Sequence, residues 1–215
     1  MQRVGVVLHP TRPVRRALDA LEQWTATHGL ELVHLETGDS PCRHPPPGAD
    51  SRSSQPPPDE VGASDLIVAI GGDGTILTAL HAAAETRTPV LGVDCGSLGA
   101  LSTVSEAELR AGLDRIAAGD WWPRRLPALA VATAEGQVVR AINDLVLVRR
   151  GGTQLLVEVL LGGDLYARLA GDGVIVATPL GSSAYTMAAG GPLLVEGIAG
   201  FVCTPLAMHG GCAPP

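Results

Sequence analysis

Asp65-Leu66-Ile67-Val68-Ala69-Ile70 runs without a break into Gly71-Gly72-Asp73-Gly74-Thr75, and this stretch decides the fold. An apolar, β-branched run of this length predicts a strand buried on both faces, as in a parallel sheet covered by helices. The glycines after it let the backbone turn sharply and bring a ligand close without Cβ obstruction. Helix-forming residues over 76–85 complete a strand–turn–helix unit. Its helix N-terminus points free N–H groups and a positive dipole end at the turn, which suits phosphate. An aspartate among phosphate-binding amides opposes an anion, so Asp73 makes chemical sense as a base, or as a group that orients a hydroxyl nucleophile or a metal. The plainer alternative is a glycine-rich turn whose aspartate satisfies backbone donors.

Working outward, residues 4–8 form a compact strand-like run. Val14, Ala17, Leu18, Leu21 and Trp24 recur at the spacing of a helix with one buried stripe over 14–28, stopped by Gly29. Strands are predicted at 30–35 and 89–93. Ser105 with Glu108 forms a capping box opening a helix whose stripe is Leu109, Leu113 and Ile116. Residues 38–59 are Pro/Ser-rich and poor in large apolar groups, which predicts an exposed loop. The expectation is an open, mostly parallel α/β domain over residues 1–119, carrying the GGDGT turn.

The pattern changes near Gly119. β-type runs at 128–134, 138–148, 155–161, 165–169 and 174–177 are separated by short turns, with one helical piece at 183–189. Residues 120–215 are therefore expected to form a mainly antiparallel β domain.

Composition narrows the function. The formal net charge is −7, all 15 basic residues are Arg, and aromatics make up 3%. A nucleic-acid or anionic-membrane surface needs a cationic face, and a single-strand platform needs aromatic rings, so neither partner is expected. Without Lys there is no Walker-A loop and no Schiff-base chemistry. No apolar run is long enough for a signal peptide core or a membrane span. Cys42, Cys95, Cys203 and Cys212 are scattered, which favours free thiols and a cytoplasmic setting. The histidines show no metal-ligand spacing.

Two further constellations stand out. Asn143-Asp144 sits within apolar sequence, and a carboxylate with an amide suits a ribose diol and a base edge; a bulge or strand-end turn is the alternative. Gly171-Asp172-Gly173 through Gly190-Gly191-Pro192 places hydroxyls at Thr178, Ser182, Ser183 and Tyr185 around one loop–helix junction, a further anion or ribose site; a plain N-cap at Ser182 or Ser183 is the alternative, and capping alone explains one of them.

Together these residues resemble the NAD kinase family. The segments are GGDGT (71–75), Pro-Val-Leu-Gly-Val-Asp-Cys-Gly-Ser-Leu-Gly (89–99), Ala-Ile-Asn-Asp (141–144) and the long run 171–192, in the family's order, and the match extends from Val4 to about His209. GGDGT alone is shared with diacylglycerol and sphingosine kinases; the run 171–192 is the specific one. The resemblance implies a kinase that moves the terminal phosphoryl group of ATP, or of polyphosphate, to the adenosine ribose 2′-hydroxyl of NAD, giving NADP. It implies Mg²⁺ or another divalent metal bound with the nucleotide, with no ligand residue assigned. It implies Asp73 as the catalytic carboxylate, Gly74 at the NAD ribose, and Asn143 and Asp144 on NAD. Asp172 and the stretch Ser183, Ala184, Tyr185, Thr186, Met187 and Ala188 would hold the second end of NAD, while Gly71, Gly72 and Thr75 would hold nucleotide phosphates. A homo-oligomer is expected.

Against the family pattern stand Asp94 for Asn, Ala100 for Phe, Ala170 for a basic residue with Arg168 nearby, and Leu180 for Thr or Ser. Restoring the hydroxyl at 180 is expected to tighten NAD binding. The family continues through further strands after Thr204–His209, so the resemblance implies a second domain incomplete at its C-terminus. A weakly catalytic nucleotide-binding paralogue or fragment, and a lipid or small-alcohol kinase sharing GGDGT, are the competing readings.

Overall fold

The side chains of β3 (Leu66–Gly71) are all buried, because the strand is covered from both sides. Leu66, Val68 and Ile70 join Val4 and Val6 of β1 (Arg3–Leu8) in one apolar layer with Leu18, Leu21 and Trp24 of α1 (Arg15–Thr27). Ile67 and Ala69 join Val7 in the opposite layer, with Val61, Ile76 and Ala79 from helices on that side. Period-2 alternation thus feeds two cores at once. The computed structural model describes residues 1–36, 58–96, 99–195 and 197–209.

Two compact units divide the chain, Met1–Arg124 and Arg125–Pro215. In the first, five parallel strands run in the order β2-β1-β3-β4-β5, where β2 is Glu31–His34, β4 is Val90–Asp94 and β5 is Val104–Ser105. α2 (Pro58–Gly62) and α3 (Asp73–Ala83) serve one face, while α1 and α4 (Leu109–Ala117) serve the other. Trp24 is fully enclosed between α1 and α4: its indole N–H donates to Asp114 Oδ1 at 2.6 Å, and its ring stacks on His28 at 4.2 Å.

Several expectations shift. α3 begins at Asp73, three residues before the predicted start, because Gly72 is extended and its carbonyl already accepts from the N–H groups of Thr75 and Ile76. The residue expected in a turn is therefore the first of a helix, where a carboxylate complements the dipole. The Ser105–Glu108 box is present, with Glu108 accepting from the backbone N–H and the hydroxyl of Ser105; a 3₁₀ turn, Glu106–Glu108, precedes α4. Residues 58 and 59, expected in the loop, open α2, and the rest of that loop lies outside the described residues.

In the second unit all strand pairs are antiparallel: β6 (Leu129–Ala132) with β7 (Val138–Ala141), β9 (Leu155–Leu161) with β10 (Asp164–Gly171), and β11 (Gly173–Ala177) between β8 (Asp144–Val148) and β12 (Val202–Leu206). The single strand predicted over 138–148 is in fact two, because the chain bends at Ile142-Asn143 and passes from one sheet to another. β12 was not anticipated: Pro205 reads as a strand breaker, and it is tolerated because β12 lies at the edge of its sheet. The helix expected over 183–189 is a 3₁₀ turn, Gly181–Ser183, followed by one turn of α5, Tyr185–Ala188.

Candidate functional site

β3 and β4 end side by side, with Gly71 paired to Asp94, so the glycine turn opens at the carboxyl edge of a parallel sheet. Ligands of open α/β sheets bind at this edge. Asp73 is fixed there by two charge-assisted hydrogen bonds: Oδ2 accepts from the Ala100 N–H and Oδ1 from the Leu101 N–H, both at 3.0 Å. These contacts use backbone N–H groups and do not depend on the side chain at position 100. They also show Asp73 satisfying backbone donors, which the plainer alternative required, while leaving each oxygen further lone-pair capacity.

The glycines of the turn are close-packed. A methyl on Gly71 would meet the side chains of Thr75 and His9, and one on Gly72 would lie 3.0 Å from the guanidinium of Arg12. Gly74, by contrast, faces open space. Thr75 is buried. The β1–α1 loop that brings His9 and Arg12 here was not singled out from sequence. The legible signal was its position, since the loop after the first strand of a parallel sheet opens at the same edge. His9 donates its N–H to the Ile70 carbonyl at 3.0 Å, and its Nδ1 accepts from the N–H groups of Thr11 and Arg12 at 3.1 and 3.0 Å. Burial, with help from Arg12, holds the His9 pKa below its usual value.

Asp94 is 7% exposed, and its Oδ1 is buried without a hydrogen-bond partner. Among the described residues no group of three or more His, Cys, Asp or Glu side chains could hold a metal ion.

In the second unit the structure brings together the other two constellations. Thr178 N–H donates to the Asn143 carbonyl at 2.9 Å and its hydroxyl donates to the Ile142 carbonyl at 2.7 Å, while the Gly181 N–H donates to that same hydroxyl at 3.1 Å. Gly181 packs directly on the Asn143 backbone, leaving no room for a side chain. Asn143 lies at the bend and Asp144 is the first residue of β8, so the strand-end alternative describes the local geometry. Burial raises the Asp144 pKa above the ordinary carboxylate value. Asn143 Oδ1 is buried with no partner.

The hydroxyl cluster is not a ligand site as a whole. Thr178 and Ser182 are buried, and Ser182 donates to the Pro179 carbonyl at 2.6 Å while accepting from the Leu194 N–H at 2.9 Å. Both hydroxyls hold the turn in shape. Ser183 donates to the Leu180 carbonyl at 3.0 Å but remains exposed, as do Ala184, Tyr185, Met187 and Ala188. Thr186 points inward, fully buried. Tyr185 and Asp172 share an open cleft of about 470 Å³ with Arg149 and the end of β12. Asp172 Oδ1 accepts from Arg149 Nε at 2.6 Å. Arg168, the nearest substitute for the family's basic residue, is paired with Glu158 at 2.8 Å. Leu180 is 8% exposed and belongs to the packed interior, which corrects the expectation that a hydroxyl there would meet NAD.

The profiles described as ATP-NAD kinase N-terminal domain and ATP-NAD kinase C-terminal domain match residues 37–121 and 142–213. An NAD kinase of Thermomicrobium roseum is 34% identical over 97% of this chain and 67% of its own length. One of Heliobacterium modesticaldum is 32% identical over 97% of this chain and 74% of its own. Among solved structures, an NAD kinase from Archaeoglobus fulgidus in complex with ATP superimposes with a TM-score of 0.73 at 25% identity, covering all of this chain and 76% of that one. Yeast NADH kinase complexed with NADH shares the fold, with a TM-score of 0.69 at 22% identity, over 97% of this chain and 66% of that one.

Proposed function

Because this chain belongs to the NAD kinase family, we propose that it transfers the terminal phosphoryl group of ATP to the adenosine ribose 2′-hydroxyl of NAD, giving NADP and ADP. The observation that carries the reading is Asp73, held at the first position of α3 by the Ala100 and Leu101 N–H groups beside a turn whose Gly74 faces open space. In the transfer the ribose oxygen bonds to the terminal phosphorus, the bond from phosphorus to the bridging oxygen of ADP breaks, and the hydroxyl proton passes to the Asp73 carboxylate. Phosphoryl transfer needs little covalent help from protein, so positioning and charge stabilisation carry it. Gly71, Gly72 and Thr75 would line the nucleotide phosphates, the glycines through their backbone, since the Thr75 N–H is spent on the Gly72 carbonyl.

Asn143 and Asp144 are proposed to hold the adenosine ribose and base edge. Asp172 and the exposed run Ser183, Ala184, Tyr185, Met187 and Ala188 would hold the other end of NAD. Thr186 supports that run from inside.

A divalent cation, when bound, neutralises charge on the phosphate oxygens. Asp73, a hard carboxylate with lone pairs to spare beside its two backbone donors, would hold such an ion next to the nucleotide. Polyphosphate is the alternative donor. Free Cys95 and Cys203 support a reducing cytoplasm. A homo-oligomer is proposed as the assembly that would cover exposed apolar side chains such as Leu156 and Tyr166 on the paired strands β9 and β10.

The test is purified chain with ATP, Mg²⁺ and NAD, assayed for NADP by an NADP-specific dehydrogenase, with diacylglycerol as competing acceptor. NADP formation supports the reading. Folded protein that binds ATP and NAD without turnover would instead identify a binding paralogue.

A further inference from the structure

The guanidinium of Arg12 lies close against the glycine turn, with Nη1 nearest. A methyl built on Gly72 would be 3.0 Å from Nη1, 3.4 Å from Cζ and 3.6 Å from Nη2, and one on Gly96 would be 3.8 Å from Nη1. One cation is thus close to both Gly72 and Gly96, in the segments that follow β3 and β4. Its loop is fastened by the His9 N–H on Ile70 and by the His9 Nδ1 acceptor. The neighbouring arginines are spent differently: Arg3 on Glu31, Arg15 on Asp19 and Arg16 on Glu106, at 3.6, 2.7 and 3.3 Å. Among the described residues no carboxylate pairs with Arg12, which is exposed. A chain with net charge −7 and no lysine leaves few cations for this edge.

We propose that Arg12 is a phosphate-binding residue, clamping the donor's terminal phosphates against the GGDGT backbone and offsetting the charge that moves onto ADP as the terminal phosphorus–oxygen bond breaks. The inference rests on the phosphotransfer reading above. The fork of an arginine matches two phosphate oxygens at once, and a guanidinium cannot be deprotonated at working pH. Its loop position differs from that of a P-loop lysine, which follows the glycines in sequence. Here the cation comes from the β1–α1 loop, beside β3 in the sheet order, and reaches across to the glycine turn. Asp73 and Arg12 then divide the labour: the carboxylate receives the proton and the guanidinium holds the anion.

The experiment is calorimetric titration of the full chain with inorganic tripolyphosphate and, separately, with NAD, for wild type, Arg12→Ala and Arg12→Lys, alongside NADP assays. Arg12→Ala should weaken tripolyphosphate by about tenfold or more, leave NAD affinity within about twofold, and lower turnover by about 1,000-fold, the lower end of the range for arginines that stabilise phosphoryl transfer. Arg12→Lys should recover part of the tripolyphosphate affinity through its charge. Equal tripolyphosphate affinity in wild type and Arg12→Ala overturns the proposal, as does an equal loss for NAD, which would mark a structural role. If Arg12→Ala does not fold, Arg12→Lys decides by the same titration, with wild-type affinity and wild-type turnover together counting against a fork. Wild type that binds tripolyphosphate but makes no NADP would defeat the phosphotransfer reading while the titration still decides Arg12.

Discussion

The α-carbon of Gly99 lies against the Asp73 carboxylate, so close that a methyl group there would overlap Oδ1. This contact explains a glycine at position 99: the chain must pass close enough for the next two N–H groups to reach the carboxylate. Asp73 is thus both a catalytic candidate and the anchor of the loop that follows β4.

Asp73→Asn separates these roles incompletely, and the consequence is specific. An amide offers one acceptor oxygen where two N–H groups now meet carboxylate oxygens, so one donor faces an NH₂ group. Stability should fall by about 1–3 kcal/mol, and turnover by about 100-fold or more from loss of the base. NAD affinity should stay within a few-fold. Thermal melts, NADP formation and NAD titration on one preparation check all three. Turnover above a tenth of wild type would make Asp73 structural only.

Gly74→Ala is the cleaner probe. Gly74 sits in the first turn of α3 with open space where a Cβ would go, so the fold itself does not require glycine. Alanine is the better helix former, by up to about 1 kcal/mol in a helix interior, so the melting temperature should hold or rise. Activity should nevertheless fall, because the methyl enters the space assigned to the ribose. A variant as active as wild type would remove Gly74 from the substrate site.

Leu180→Thr should not tighten NAD. The side chain is buried, so threonine would lose apolar packing and bury a hydroxyl, costing about 1–3 kcal/mol. The check is a denaturant titration with NAD calorimetry; tighter NAD binding at undiminished stability would place residue 180 in the dinucleotide site.

Acidification should weaken the fold through His81. Burial lowers its pKa below 6.5, so as pH falls through 6.5 the unfolded chain takes up a proton that the folded chain refuses. Stability is lost between that value and the lower folded pKa, and does not fall further through this group below it. His81→Gln should flatten the slope of stability between pH 7 and the acid side, measured by urea unfolding at each pH. An unchanged slope would assign the acid sensitivity to other groups.

The parallel sheet was legible because its central strands, β1, β3 and β4, are largely buried, and a run such as Leu66–Ile70 is then apolar throughout. The GGDGT turn was legible because glycine and aspartate are rare inside such a run. What the sequence concealed depends on long-range contacts. Nothing local marks Ala100 and Leu101 as the partners of Asp73, since they contribute only backbone N–H groups. Arg12 lies 60 residues from Gly72 and meets it through sheet order. The hydroxyls of Thr178 and Ser182 read as ligand groups, but both are occupied by the backbone of their own turn. The break at Ile142-Asn143 was hidden because both flanking strands have the same β-type composition.

The enclosure of Trp24 has a practical consequence. The three tryptophans of the chain, Trp24, Trp121 and Trp122, all fall within Met1–Arg124, and the last two are solvent-exposed. Intrinsic tryptophan emission excited at the red edge will therefore follow the release of one indole from between α1 and α4, while Arg125–Pro215 unfolds without a signal. An optical melt of this protein is a measurement of its first half, and the second half has to be followed through Tyr166 and Tyr185 or through far-ultraviolet dichroism.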